Sequence, residues 1–302
     1  MTEDQLLKDN PWKKVAEMYN PQEKDCLFRN DDIWYVCDED KNAIIEYNEI
    51  IDNAAKSAED SKKLEILNDK IVTNIPAEPW WGNPLKARLI ILSLNPGYVP
   101  EVNGKLAKLM QSNDKVRGEL INYKAQTLRL EADSFLPQVD DTEPISCRDA
   151  VNMLGDWYWY KKLRYLKDDV LSKNKQITED DFYKRIALIE YHGYSSITSN
   201  RTFPRHNSYL KTQIFIRNLI RYLAQREDVC ILAMRAIDKW KNLINYESPE
   251  EICENHNPTN WYEKYEKEGK IVHKSNKGMS QSITRLNLGE ESYDIIKKVI
   301  AR

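Results

Sequence analysis

The stretch of sequence that decides the fold is Ala87–Leu94, which reads ARLIILSL and leads into Asn95-Pro96-Gly97. An apolar run of this length, bounded by turn-forming residues, is typical of a strand that is buried on both faces of a parallel sheet. We therefore predict a strand over 89–94. Because ligands bind such sheets beyond the carboxyl ends of their strands, the residues after Leu94 are the first candidates for a functional site.

Three later segments have the same apolar character. Ile186–Ile189 leads into Glu190-Tyr191-His192, Val229–Ala233 follows a charged turn, and Lys270–His273 is shorter. The apolar spacing of Tyr209–Gln225 predicts an amphipathic helix between two of these segments. Strands that alternate with helices imply an α/β fold, here three-layer α/β/α with a central, mostly parallel four-stranded sheet.

The strands of this sheet are predicted at 89–94, 186–189, 229–233 and 270–273. Since the carboxyl ends of parallel strands meet at one edge of a sheet, the residues after each strand should border a single crevice. The residues expected there are Asn95, Glu190, Met234, Arg235 and the loop after His273.

The chain divides by composition near residue 75. Residues 1–75 contain 18 acidic and 10 basic residues, a net charge of −8, and are interpreted as an acidic N-terminal appendage. The proline-rich segment Ile75–Pro84 marks the boundary of the predicted α/β domain, residues 76–302. Residues 99–181 are long for a crossover, so we interpret them as a helical insertion that includes the aromatic run 157–160.

The basic residues are unevenly distributed. Residues 76–302 carry 35 basic and 30 acidic residues, a net charge of +5, in a chain whose net charge is −3. The segment Arg201–Arg226 contains six lysines and arginines and no acidic residue. Such a segment indicates either a solvated helix face or a surface for nucleic acid, and the sequence leaves both interpretations open.

Several classes of protein are disfavoured by what the sequence lacks. It contains no run of 18 apolar residues, so no membrane partner is expected, and its polar beginning is unlike a signal peptide. The five cysteines are scattered without a CxxC pair, which favours a reduced, cytoplasmic chain with no metal and no cofactor. A nucleotide hydrolase is disfavoured because no GxxxxGKS or GxxxxGKT motif is present.

The segment Leu89–Tyr98, LIILSLNPGY, resembles the first motif of the uracil-DNA glycosylase superfamily. In that motif a buried strand ends in GQDPY in the uracil-specific branch and in GINPG in the mismatch-specific branch. Asn95-Pro96-Gly97 matches the second form. The family's later strands, helix and final loop are resembled, in the same order, by Arg185–Ser196, Tyr209–Gln225, Val229–Lys241 and Ile271–Asn287.

The resemblance covers roughly residues 76–300 and implies a monofunctional DNA glycosylase. Such an enzyme flips a modified or mismatched pyrimidine out of DNA and cleaves its N-glycosidic bond, in repair or in defence against modified foreign DNA. Asn95 would orient the attacking water. Either His192 or His206, which lie in loops near the predicted crevice, would stabilise the leaving base. Gly97 stands where the uracil-specific branch has a tyrosine, and would leave room at C5 of the base.

The base pocket implied by the resemblance also includes an acid. Glu190 falls at the position of the base-reading asparagine and, as a carboxylate, would accept a hydrogen bond from an exocyclic amine. The pocket would be completed by Pro96, Tyr98 and Tyr191.

Each of these residues also has a structural interpretation. Asn95 is suited to capping the helix that follows, and Gly97 is suited to a tight turn with positive φ. Glu190 would then be a surface acid at a strand end, while His192 and His206 would be surface histidines in loops.

A DNA partner requires cations and polar groups that contact phosphates. The candidates lie in the basic segment and in the loop after the last strand: Arg201, Arg205, His206, Lys211, Lys274, Ser275, Asn276, Lys277, Ser280 and Arg285.

Two departures from the family leave a second function open. Ser275 stands where the family has a histidine or an asparagine, so the usual stabiliser of the leaving group is missing. No phenylalanine follows Tyr98 closely, so Phe135 or the run 157–160 would have to stack on a flipped base. The alternative is a non-catalytic protein of the same fold that binds DNA, a nucleotide or another protein. The oligomeric state is not indicated.

Overall fold

The computed structural model describes residues 1–22, 35–94, 96–97, 100–135, 158–198, 209–254, 259–274 and 282–302. Its class is α/β, as predicted. The helices are α1 (Glu3–Asp9), α2 (Trp12–Glu17), α3 (Lys41–Lys56), α4 (Asp60–Leu67), α5 (Pro100–Ser112), α6 (Asp114–Leu128), α7 (Tyr158–Lys173), α8 (Glu179–Lys184), α9 (Lys211–Ala224), α10 (Ile237–Asn245), α11 (Pro249–Glu254), α12 (Trp261–Lys267), α13 (Arg285–Leu288) and α14 (Glu290–Ala301). None of the helices in these ranges is long and apolar enough to cross a membrane.

The sheet has five strands in the described residues, rather than the four predicted. They are β1 (Trp80–Trp81), β2 (Leu89–Leu92), β3 (Ile186–Ile189), β4 (Cys230–Ala233) and β5 (Ile271–His273), in the spatial order β1-β3-β2-β4-β5. The pairs β3–β2, β2–β4 and β4–β5 are parallel, as predicted for these four segments. The additional strand β1 pairs antiparallel with β3, so the sheet is mixed.

Both faces of the sheet are buried, which is why its strands read as continuous apolar runs. Successive side chains on a strand point to opposite faces. Ile90 and Leu92 belong to a first core that includes Trp240 of α10, while Leu89 and Ile91 belong to a second core. Helices α2, α6, α9, α10 and α12 contribute to the first core, and α7, α8 and α14 contribute to the second.

The N-terminal residues pack onto the first core. Leu6 and Trp12 are fully buried in it, and the Trp12 ring lies 6.4 Å from Trp80 and 5.3 Å from Tyr194, centroid to centroid. Val72 forms an isolated antiparallel bridge with Ser195. The first core therefore continues across residue 75, where composition predicts a boundary.

A buried acid joins the N-terminal residues to α9. Asp40 ends a 3₁₀ turn, Asp38–Asp40, and its Oδ1 accepts hydrogen bonds from the backbone N–H groups of Lys211 (2.9 Å) and Thr212 (3.5 Å). Its Oδ2 accepts from the hydroxyls of Thr212 (2.5 Å) and Tyr194 (2.8 Å). Since the first N–H groups of a helix have no partner within the helix, Asp40 acts as a capping residue from a distant part of the chain.

Candidate active site at the carboxyl ends of the strands

The four parallel strands end in register. Leu92 lies opposite both Ile189 and Ala233, and Ala233 lies opposite His273. The hydrogen-bond ladder continues one row further, because Ser93 N donates to Ile189 O (2.9 Å), Met234 N to Leu92 O (3.1 Å) and Lys274 N to Ala233 O (3.2 Å). The residues of this row are Glu190, Ser93, Met234 and Lys274.

Strand β2 lies at the topological switch point of the sheet. The chain passes from β2 to β3 on one side and then to β4 on the other, which is the arrangement that opens a ligand crevice at the carboxyl ends. Trp240 of α10 donates through Nε1 to Ser93 O (2.9 Å), so α10 is attached to the end of β2. Its N-cap, Ala236, has φ 51° and provides no side-chain cap.

Glu190 is buried in this row, with 4% of its surface exposed, so the interpretation as a surface acid is wrong. Burial raises the pKa of its carboxyl to about 8, and Glu78 adds to the rise, while a hydrogen bond with Ser93 and the charge of Arg235 oppose it. The carboxyl group is therefore mostly protonated at neutral pH. A protonated carboxyl group donates as well as accepts, whereas the carboxylate expected from the sequence only accepts.

His192 is also fully buried, so the interpretation of this residue as a surface histidine is wrong. Burial and the nearby charge of Lys239 lower its pKa to about 3, against a backbone hydrogen bond with Tyr194 that raises it. The imidazole is neutral at physiological pH. Stabilising a leaving anion would then rely on hydrogen bonding by a neutral ring and not on a positive charge.

Tyr191 lies between Glu190 and His192 and is buried in the first core. Its ring meets Trp240 edge to face with centroids 5.3 Å apart, and Nζ of Lys239 lies 5.4 Å from its centroid. Gln213 of α9 donates through Nε2 to the Tyr191 carbonyl oxygen (3.1 Å). These contacts attach the segment after β3 to α9 and α10.

The segment after β2 is described at Pro96 and Gly97, while Asn95 and Tyr98 lie outside the described residues. Pro96 is buried and Gly97 is exposed. Gly97 pairs with Ser196 in an isolated parallel bridge, and a Cβ added at Gly97 would meet no atom within 4 Å. Whether this space receives a substituent of a base stays a prediction.

The structural interpretation of Gly97 does not hold. The glycines with positive φ in the described residues are Gly82, Gly269 and Gly289, so Gly97 does not form the turn that would require glycine. Helix α5 begins at Pro100, five positions after Asn95. Asn95 itself lies outside the described residues, so its role as a helix cap stays a prediction.

Most of the predicted DNA-binding residues lie outside the described ranges: Arg201, Arg205, His206, Ser275, Asn276, Lys277 and Ser280. Of the others, Lys211 is exposed at the start of α9, and Lys274 is partly buried at the end of β5. The charge of Arg285 is already compensated within the chain, because its guanidinium pairs with Glu290 and with Asp294 (3.1 Å) and stacks on Tyr293.

Half of the basic residues in Arg201–Arg226 bind other parts of the chain. Arg217 is buried and forms a bidentate ion pair with Glu251 (2.7 and 2.8 Å). Arg221 donates to the carbonyl oxygens of Ile244 and Tyr246, and Arg226 pairs with Asp228. These three arginines therefore form neither a solvated face nor a free surface for phosphates.

Two of the aromatic residues proposed to stack on a flipped base, Phe135 and Trp159, are in the core. Phe135 is fully buried and Trp159 is 8% exposed, and both belong to the second core. Trp157 lies outside the described residues.

The sequence did not single out Ser93 as a residue of the site. Its only signal is that it is the one neutral polar side chain in ARLIILSL.

Comparison with known proteins identifies no relative. No protein-family model matches the chain, and neither a curated protein nor a solved structure matches it. Within the described ranges there is also no group of three or more His, Cys, Asp and Glu side chains that could hold a metal ion.

Proposed function

We propose that the chain is a DNA glycosylase that cleaves the N-glycosidic bond of a modified or mismatched pyrimidine, in repair or in defence against modified foreign DNA. We also propose that residues 76–302 form a three-layer domain of the uracil-DNA glycosylase type. The observation that supports this best is the position of Glu190. It is a buried acid beside the end of β2, which leads directly into the segment Asn95-Pro96-Gly97.

The proposed reaction is a hydrolysis. A water molecule held by Asn95 attacks the sugar C1′, the bond between C1′ and the base nitrogen breaks, and its electron pair leaves with the base. A proton from the water ends on the base, and the hydroxyl stays on C1′. Gly97 leaves space beside the base, and Glu190 contacts its edge. A base must be flipped out of the helix to reach such a site.

The experiment is a panel of labelled oligonucleotides, single- and double-stranded, each carrying one modified or mismatched pyrimidine. Excision is measured as alkali-labile abasic sites. The wild-type chain should release at least one cytosine-derived or C5-substituted base, and Asn95→Ala should release none. Asn53→Ala, which changes an exposed asparagine of α3, is the matched control and should behave as wild type.

The alternative is a non-catalytic member of the same fold that binds DNA, a nucleotide or another protein. It is favoured by the internal pairing of Arg285, which is one of the predicted DNA-binding residues, and of Arg217 and Arg221 in the basic segment. Binding without release of any base from the panel would support this alternative over the glycosylase.

A further inference from the structure

The two oxygens of the Glu190 carboxyl group have different surroundings. Hydrogen bonding by the Ser93 side chain lowers the pKa of the group, whereas Oε2 is buried and has no hydrogen-bond partner. A buried polar atom without a partner destabilises the fold, so native proteins rarely keep one without a reason.

Ser93 and Glu190 are brought together by the sheet. Leu92 lies opposite Ile189, so the next residue on each strand shares a row, and Ser93 N donates to Ile189 O (2.9 Å). Both side chains point to the face that carries Ile91 and Leu188, because side-chain direction alternates along a strand. The contact therefore depends on the register of two central strands and not on a loop.

We propose that Ser93 is a positioning residue whose hydroxyl donates to Oε1 of Glu190, so that Oε2 carries the carboxyl proton and donates it to a hydrogen-bond acceptor on the bound ligand. The inference rests on the proposed function, in which the ligand is a pyrimidine base. It reverses the role expected from sequence, where Glu190 accepts from an exocyclic amine.

The chemistry of a carboxyl group explains the assignment. An oxygen that accepts a hydrogen bond from a serine hydroxyl behaves as the carbonyl oxygen, which leaves the proton to the other oxygen. The surrounding groups keep the proton in place at neutral pH. Burial and the charge of Glu78 raise the pKa of Glu190 to about 8, and these effects exceed those of Ser93 and Arg235, which lower it.

The chemical class of ligand follows from a donor at Oε2. The ligand must present an acceptor to it, which for a pyrimidine is the unprotonated ring nitrogen N3 of a cytosine or a carbonyl oxygen of a uracil or thymine. A cytosine-derived base is still accommodated, but it is read through its ring nitrogen. Removing the exocyclic amine should then matter less than removing the ring nitrogen.

The first test measures the coupling of Ser93 to Glu190 without DNA. Thermal unfolding is followed as a function of pH for wild type, Ser93→Ala and Ser93→Thr. In each case the pH profile of the unfolding temperature is compared with that of Glu190→Gln. The pH at which the two profiles diverge gives the midpoint of the Glu190 titration. Ser93→Ala should move the midpoint above the wild-type value, because a hydrogen bond that favours the charged form is lost, and Ser93→Thr should restore it.

The matched control is Ser93→Ala in the Glu190→Gln background, where no Glu190 titration remains to be shifted. If Ser93→Ala moves the unfolding profile equally in both backgrounds, or leaves the Glu190 midpoint unchanged, Ser93 is not a positioning residue.

The second test uses binding of the wild-type chain to three duplexes with cytosine, 3-deazacytosine or 2-pyrimidinone at one site. Each carries a 2′-fluoro sugar that resists cleavage. Relative to cytosine, 3-deazacytosine should weaken binding by about tenfold, as expected for one lost hydrogen bond, while 2-pyrimidinone should change it little. At about pH 9.5 this preference should shrink, because Glu190 loses its proton.

The opposite order, in which loss of the amine weakens binding more, would show that Oε2 accepts and would overturn the assignment. Equal binding of all three duplexes would remove Glu190 from base reading and would count against the proposed function. The unfolding experiment still decides the role of Ser93 in that case, so the two failures can be told apart.

Discussion

The Tyr194 hydroxyl donates a 2.8 Å hydrogen bond to Oδ2 of Asp40, which precedes it by 154 positions in the chain. Tyr194 follows the buried residues after β3, and Asp40 belongs to the acidic N-terminal region. Through this contact and the capping of α9, the N-terminal residues are part of the framework that surrounds the candidate site.

Asp40→Asn should therefore destabilise the protein. The amide would turn an NH2 group toward at least one donor among Tyr194, Lys211 and Thr212, which should cost about 1–3 kcal/mol of unfolding free energy. Urea unfolding measures the loss. Asp38→Asn, an exposed change in the same 3₁₀ turn, is the control and should have little effect. Equal stabilities of the two variants would show that the capping contacts contribute nothing.

Trp12→Ala should destabilise the chain by about 3–5 kcal/mol, because it removes a large, fully buried side chain from the first core. The loss should appear as a lower midpoint in one cooperative transition recorded by tryptophan fluorescence and by circular dichroism. A separate early transition, with the rest of the chain unchanged, would show instead that residues 1–75 fold independently.

His192 should make the folded state sensitive to acid. Its folded pKa of about 3 lies below the ordinary 6.5, so below pH 6.5 the unfolded chain binds a proton that the folded chain does not. Stability from this group is present above pH 6.5 and is lost as the pH falls toward 3. In thermal unfolding, the unfolding temperature of His192→Gln should fall less steeply between pH 6.5 and pH 3 than that of the wild type, whatever its value at neutral pH. An unchanged slope would contradict the prediction.

Gly97→Tyr should block bulky C5 substituents before it blocks unsubstituted bases, because the added ring would fill the open space beside Gly97. The measurement is the excision rate on oligonucleotides with C5 groups of increasing size. Gly104→Tyr places the same ring at an exposed position of α5 and should leave the size dependence unaltered. Equal slowing on all substrates would mean that the ring disturbs something other than the C5 space.

Charge reversal at Arg205 and Lys277 together should weaken DNA binding by on the order of tenfold, with a smaller dependence on salt concentration. Fluorescence anisotropy across a salt series gives both quantities. Reversal of Lys56 and Lys62, exposed lysines on α3 and α4, controls for the change in net charge. If the two double variants bind equally, the predicted surface is not where DNA binds.

The four parallel strands were predictable because each is buried on both faces and reads as a short apolar run. Strand β1 was not, since Trp80–Trp81 has only two residues and lies in a proline-rich segment, where no alternation can develop. The pairing of Arg217 with Glu251 spans 34 positions and has no local signal, so the sequence does not predict that Arg217 is buried.

The candidate site, like the fold, was only partly predictable from the sequence. The position of Glu190 at a strand end followed from its sequence, but its protonation did not. A pKa depends on burial and on neighbours such as Ser93, Glu78 and Arg235, which lie on three other segments of the chain. The identity of the residue was thus known while its hydrogen-bonding character was not.

Strand β1 also limits the pairing of this sheet edge with a second chain. It covers the outer edge of β3, and α6 lies beside it, with Trp80 Nε1 donating to the Thr127 carbonyl oxygen. An exposed edge of a long apolar strand is a template for aggregation. Here β1 already pairs with Leu188 and Ile189, so a second chain cannot pair with the backbone of these two residues on this side.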